Sequence, residues 1–211
     1  MSDNTTLNSM SGGDTYASDD ISGVKVQRIK LIHGADGTND GDVSNSNPLP
    51  VAGGKIIASE TSFTRPSDTT TYASGDAVNN STSSPTVLTF SNIARASGLG
   101  GVIESATMIL STRATLAGVF ELWLFDTTIT MTNDNTAWGI SDANLNTAIG
   151  CIYFSLRNDG DASSNCIYQA TNIGIAYKCT ATSLYGALVV RNAYVPGNAE
   201  VFTIRLKCLG E

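Results

Sequence analysis

The sequence is short of most things that catalysis or nucleic-acid binding requires. One histidine, His33, stands in 211 residues, so any Ser-His or Cys-His mechanism would have to pass through it. It follows an extended stretch and precedes Gly34, where a turn or interface role is the simpler reading. Positive charge is scarce: 12 Lys and Arg stand against 19 Asp and Glu, a formal net charge of −7. No basic stripe exists to neutralise phosphates, which argues against nucleic acid as a partner. No apolar run approaches the roughly 20 residues of a membrane helix, so no membrane partner is expected. Met1–Met10 has neither the basic start nor the apolar core of a secretion signal, and the expectation is synthesis in a reducing cytoplasm. G-x-S-x-G, the P-loop and the dinucleotide fingerprint are all missing, and Gly98-Leu99-Gly100-Gly101 reads as a turn. The chain is expected to be no enzyme and to carry no cofactor.

The four cysteines, Cys151, Cys166, Cys179 and Cys208, lack the C-x-x-C spacing of a metal knuckle. Cys151 and Cys208 fall inside predicted strands, where a thiol behaves as a small apolar side chain. Two loops place oxygens at alternating positions. In Asp36-Gly37-Thr38-Asn39-Asp40-Gly41-Asp42, the carboxylates of Asp36, Asp40 and Asp42 are weak candidate calcium ligands. The third position is Thr38, however, and the twelfth is Asn47 where a bidentate Glu belongs, so an Asx-type turn accounts for the same residues. Asp159–Asn165 lacks both the Gly and the closing acid and reads as a hairpin turn.

What is abundant is Gly, Ser, Thr and Asn around short apolar runs, the texture of an all-β protein. Residues 1–18 are polar and hold too little to bury, so they are expected to lack order unless bound. Asp19–Val51 reads as an arm. Its stretch from Gly23 to His33 is extended, with Val24 and Val26 on one face, Ile29 and Leu31 on the other, and a phase switch at Gln27–Arg28. No strand neighbour is evident within the segment, and Pro48-Leu49-Pro50 closes it with a fixed elbow. The expected division is an extended arm over 1–52 and a sandwich over 53–211.

Strands are predicted at Gly54–Ser59, Thr69–Asp76, Thr86–Phe90, Val102–Ser111, Val119–Asp126, Cys151–Arg157, Cys166–Tyr168, Ile173–Cys179 and Tyr185–Arg191. The closing strand alternates, with Phe202, Ile204, Leu206 and Cys208 inward and Thr203, Arg205 and Lys207 outward. Thr112–Gly118 is short enough for a hairpin. Thr127–Ile149 reads as a long surface loop with one helical turn at Asp142–Ala148, capped by Ser141. Eight or nine strands with long cross-connections predict a β-sandwich of the jelly-roll type. Glu104 and Glu121 fall in adjacent predicted strands, as a glycosidase pair would, but only Trp123 offers an aromatic platform nearby and a solvated outer-face pair is the plainer reading. Trp123 and Phe125 alternate with Phe120, Leu122 and Leu124, so this strand is expected to pack on both sides, its second face against the arm or another subunit.

The run GVKVQRIKLIHGADGTNDGDVSNSNPLPV resembles a sequence style of tailed-bacteriophage virion proteins. Gly23, Lys25, Arg28, Lys30, Gly34, Asp36, Asp40, Gly41, Asp42, Asn47 and Pro48 carry the likeness, which covers residues 19–51. From Thr69–Asp76 through Val201–Leu209 the chain is similar in strand rhythm to jelly-roll capsid cement or decoration proteins of podovirus-type heads. The resemblance implies a structural protein made in the host cytoplasm and carried on the outer surface of the capsid. There it would clamp neighbouring major capsid subunits and stabilise the expanded head, itself a homodimer or homotrimer. The partner-binding residues it implies are Val24, Lys25, Val26, Arg28, Ile29, Lys30 and Leu31, the basic ones meeting an acidic shell and the apolar ones anchoring. A tail- or fibre-associated adhesion protein is the alternative, and a carbohydrate-binding module a more distant one.

Overall fold

A computed structural model describes residues 5–6, 15–16, 18–22, 24–27, 55–112, 117–158 and 165–210. The chain divides into two units, Met1–Ala52 and Gly53–Glu211. In the first, β1 (Thr5–Thr6) pairs antiparallel with β2 (Thr15–Tyr16), and β3 (Ser18–Ile21) pairs with β4 (Val24–Gln27). The leader therefore holds a short ladder where none is expected. The neighbour of Val24–Gln27 is the segment just before it, in register Ile21↔Val24 to Ser18↔Gln27. Ser-Asp-Asp-Ile hides this partner because Asp and Ser are poor strand formers. The two-residue connection shows through Ser22, at φ 55 in the left-handed region that tight hairpins need.

The second unit contains β5 (Lys55–Thr64), β6 (Ala77–Val78), β7 (Leu88–Phe90), β8 (Gly100–Leu110), β9 (Phe120–Phe125), α1 (Asp142–Leu145), β10 (Ala148–Asn158), β11 (Cys166–Lys178), β12 (Leu184–Val190) and β13 (Val201–Gly210). All pairings are antiparallel, and the sheet runs β5-β13-β8-β11-β10-β9-β12-β6, with β7 also on β12. The short β6 and β7 lie end to end on β12, at Val189–Leu188 and Gly186–Leu184, and act as one interrupted strand. So counted, the first strand pairs with the eighth, the second with the seventh, the third with the sixth and the fourth with the fifth. That is one long hairpin rolled into two layers, a jelly roll, as the strand count predicts. β10 forms the corner: Ala148–Phe154 pairs with β9, and Ser155–Asn158 pairs with β11.

Alternation fills the space between layers. One layer contributes Ile103, Met108 and Leu110, Tyr168 and the predicted inward row Phe202, Ile204, Leu206 and Cys208; the other contributes Leu88, Phe90, Phe120, Leu122, Ile152, Phe154 and Leu188. Phe120 bridges them edge-on to Tyr168, Tyr194 and Phe202, at ring-centroid separations of 5.2, 5.1 and 5.8 Å. Gly186 of β12 leaves room for this packing, since a Cβ would come to 3.0 Å from Leu122 and 3.2 Å from Phe90 and make both give way.

Several expectations are corrected. The strand placed at Gly54–Ser59 runs on to Thr64, and the turn read at Gly98–Gly101 ends at Gly98, with Gly100 and Gly101 opening β8. Thr69–Asp76 is not a strand. It holds only two isolated bridges, Tyr72 to Tyr194 and Asp76 to Ala137, while Asp68 accepts from the Thr70 N–H at 2.9 Å and Asp76 from the Ala73 N–H at 2.7 Å. Those side chains satisfy the backbone where a ladder would have. Thr112–Gly118 is no hairpin, because β8 and β9 belong to opposite layers and their apolar rows face each other across the core. Cys166–Tyr168 and Ile173–Cys179 are parts of one strand interrupted by a bulge at 172–174, with Asn172 at φ 56 and Gly174 at φ 68. β9 is buried on both faces, but β8 on only one. Against Phe125 and Ala187, the outward face of β9 is covered by Ile129, Met131, Trp138 and Ile140 of this unit's own 126–147 connection. That removes the need for another subunit there.

Candidate interaction surfaces

The covering connection is held by a buried polar cluster. Asp134, in mid-connection, accepts from Arg65 Nη2 at 3.1 Å, from the Tyr72 hydroxyl at 2.6 Å and from the Asn79 N–H at 2.9 Å. Arg65 Nε also donates to the Tyr72 hydroxyl, and its guanidinium lies 4.7 Å from the Tyr72 ring centroid. The Arg65 and Asp134 side chains are fully buried, so each depends on the other for compensation. Tyr72 stacks on Tyr194, whose hydroxyl donates to Glu200; Glu200 also accepts from Thr112 Oγ1 at 2.7 Å and the Gly197 N–H at 3.3 Å. Burial pushes the Glu200 carboxyl above its ordinary value, and the hydrogen bonds from Thr112 and Tyr194 only partly offset this. Sequence reading missed this cluster. The available signal was the lone Arg65 directly after a strand end and Glu200 immediately before the alternating run.

The two carboxylates weighed as a dyad do not meet in one sheet pair. Glu104 is the extra residue of a bulge in β8 and exposed, while Glu121 lies in β9 of the other layer. The Glu121 carboxylate accepts from Trp123 Nε1 at 3.0 Å and from Arg191 Nε at 2.6 Å, and Tyr153 is its cross-strand partner. Burial works against its ionised form, but the Arg191 and Trp123 hydrogen bonds win and hold it below the usual carboxylate range. Cys166, Cys179 and Cys208 are buried thiols and Cys151 is half-buried. Burial pushes Cys179 and Cys208 up to about 11, so both behave as apolar filler. Among the described residues no cluster of three His, Cys, Asp or Glu is placed to hold a metal, and no helix is long and apolar enough to cross a membrane.

Of the residues expected to bind a partner, Val24, Lys25 and Val26 lie in β4. Arg28, Ile29, Lys30 and Leu31 lie outside the described residues, as do His33 and the calcium candidates Asp36, Asp40 and Asp42. On the body, the most open element is β5. It ends the sheet, pairs among the described residues only with β13, and is exposed along its outward face, while Ile57, Ser59, Thr61 and Phe63 of the inward face are half-buried or buried. The sheet curls until β5 meets the segment after β7 at one point, where the buried Ser59 hydroxyl donates to the Ser91 carbonyl at 2.7 Å. Beside that seam a groove of ≈ 360 Å³ runs between Lys55–Ala58 and Asn92, Ala94 and Arg95. On the outer face, Ile56 (73% exposed) is the cross-strand partner of Leu209 (43% exposed), an apolar corner at the start of β5.

No protein-family model matches this chain, and no curated protein matches it. Among solved structures, a chain of the cyanophage Pam1 capsid asymmetric unit is similar: 14% identical, covering 81% of this chain and 94% of that chain, with a TM-score of 0.33. A superposition that loose carries no weight, and the functional reading rests on the residues and the topology.

Proposed function

We propose that this chain is a non-enzymatic structural protein of a tailed-phage virion, a cement or decoration protein on the outer surface of the head that clamps neighbouring major capsid subunits. The observation that carries the reading is the β5 edge. Ten residues of strand have an open side, and they follow shortly in sequence the stretch that resembles phage virion proteins. An edge of this kind is a template for strand addition, in which backbone hydrogen bonds give affinity and neighbouring side chains give register. In this reading, Val24, Lys25, Val26, Arg28, Ile29, Lys30 and Leu31 engage the shell. Repetition over a symmetric surface then turns modest contacts into firm retention. A homodimer or homotrimer would bury the Ile56–Leu209 corner, and sedimentation velocity measures that directly.

The deciding experiment is the copy number of this chain in purified virions, by quantitative mass spectrometry against the major shell protein. Parity with the shell protein is expected. A few copies per particle would move the protein to the tail or fibre, and absence from particles would end the structural reading. A chain lacking residues 1–51 is expected to fold as a jelly roll and to leave heads undecorated; normal decoration by it would remove the arm from the mechanism.

A further inference from the structure

We propose that the groove at the β10 corner is a saccharide-binding site that takes a pyranose ring of a neutral glycan. The groove, ≈ 320 Å³, opens where β10 leaves β11 for the other layer, and it is lined by Tyr153, Ser155, Arg157, Gln169, Thr171 and Ile173 among others. Its most telling member is Tyr153, whose ring is 66% exposed. Its cross-strand partner is Glu121, whose carboxylate is gripped by Arg191 and Trp123. A tyrosine ring has only two side-chain torsions to fix, so it gives up little freedom when a ligand stacks on it. A pyranose offers the complementary surface, an apolar C–H face for the ring and hydroxyls at its margin. Gln169 and Arg157 bring planar forks of donors, and Gln169 an acceptor, to those hydroxyls; Ser155 lies in register with Gln169 and adds a hydroxyl of its own.

Other ligand classes fit less well. Arg157 is the one charged side chain among the lining residues, and a chain of net charge −7 repels phosphate polymers. An extended peptide adding as a strand wants a regular ladder of donors and acceptors. The bulge at 172–174 breaks that ladder on the β11 side of the groove. The floor is shaped rather than accidental: Gly150 has no side chain where a Cβ would meet Ile175 at 3.0 Å, and Ile175 fills that place. Covalent chemistry is not part of the site. Burial, with the Glu121 charge adding to it, pushes the Cys151 thiol up to about 12, where thiolate is negligible.

The test is a glycan array spanning hexoses, N-acetylhexosamines, deoxyhexoses and uronic acids, probed with the full chain, followed by calorimetric titration of the best binder. At least one neutral pyranoside is expected to bind. Tyr153→Ala should weaken it about tenfold or more through loss of the stacking face. Tyr153→Phe, which keeps the stacking ring and loses only the hydroxyl, should weaken it less, and Ile56→Ala, at a distant corner, should change nothing. Thermal unfolding verifies that each variant is folded. An array without a neutral binder, a binder indifferent to Tyr153→Ala, or a peptide found in the groove instead would each overturn the proposal.

Discussion

The two layers of the jelly roll share a core but solve the problem of their outer faces in opposite ways. Across β5, β13, β8 and β11 the two central outward rows read Glu60–Arg205–Thr107–Gln169 and Ala58–Lys207–Ser105–Thr171, small or polar side chains, with apolar residues only in the flanking rows that hold Ile109 and Ile167 and the Ile56–Leu209 corner. Across β12, β9 and β10 they read Val189–Glu121–Tyr153, Ala187–Trp123–Cys151 and Tyr185–Phe125–Ala148. Such a surface must be covered, and the connection between β9 and β10 folds back to cover it. A long loop here is thus not spare chain. It is a third layer over one sheet, secured by a buried ion pair and by backbone hydrogen bonds between residues 134–138 and 75–81.

That contrast can be broken most strongly at the pin. Arg65→Met leaves Asp134 buried and uncompensated, and is expected to cost about 3–5 kcal/mol in denaturant unfolding. Hydrogen exchange should then rise over residues 126–147 before the rest of the body. Uniform loss of protection would mean that the connection is no separate layer. Ile129→Ala, which removes buried contact from the cover itself, should cost about 2–3 kcal/mol by the same measurement.

Glu200 gives a pH test of the same end of the molecule. Its folded-state pKa is raised above the ordinary 4.5, so the folded chain holds the proton more tightly than the unfolded one. Stability from this group is fully present below 4.5 and is lost as pH rises through the folded value. Relative to Glu200→Gln, the native protein should therefore lose melting temperature as pH rises from that point. Parallel melting curves for the two proteins across the range would contradict it. The smallest effect belongs to the uncovered face. Glu60 and Arg205 form an exposed pair, and Glu60→Gln should change stability by less than about 1 kcal/mol and vanish in high salt.

Much of the architecture was legible because alternation survives translation into three dimensions. Phe202, Ile204, Leu206 and Cys208 all face the core, and Ser141 caps α1 by accepting from the Asn144 N–H at 3.2 Å. The continuous apolar run of β9 correctly announced two buried faces, but nothing local told which segment would supply the second cover. That information lies in Asp134, whose partners Arg65 and Tyr72 are more than sixty positions earlier. The same limit hid the β10 groove. Tyr153, Arg157 and Gln169 are unremarkable strand residues until the corner and the bulge open a gap between two neighbours.

The rolled hairpin also sets the order in which the body can be made. β5 leaves the ribosome first among the body strands, yet its only sheet neighbour is β13, with Thr64 opposite Val201 and Lys55 opposite Gly210. Phe63 waits for Phe202, its stacking partner at 5.1 Å, over the same span of synthesis. Contacts so far apart in sequence form slowly and cannot be closed in part. The nascent body therefore stays incomplete until β13 is translated. For as long as that takes, β5 is an unpaired strand in a crowded cell, the segment on which chaperone capture and mispairing between sister chains will converge.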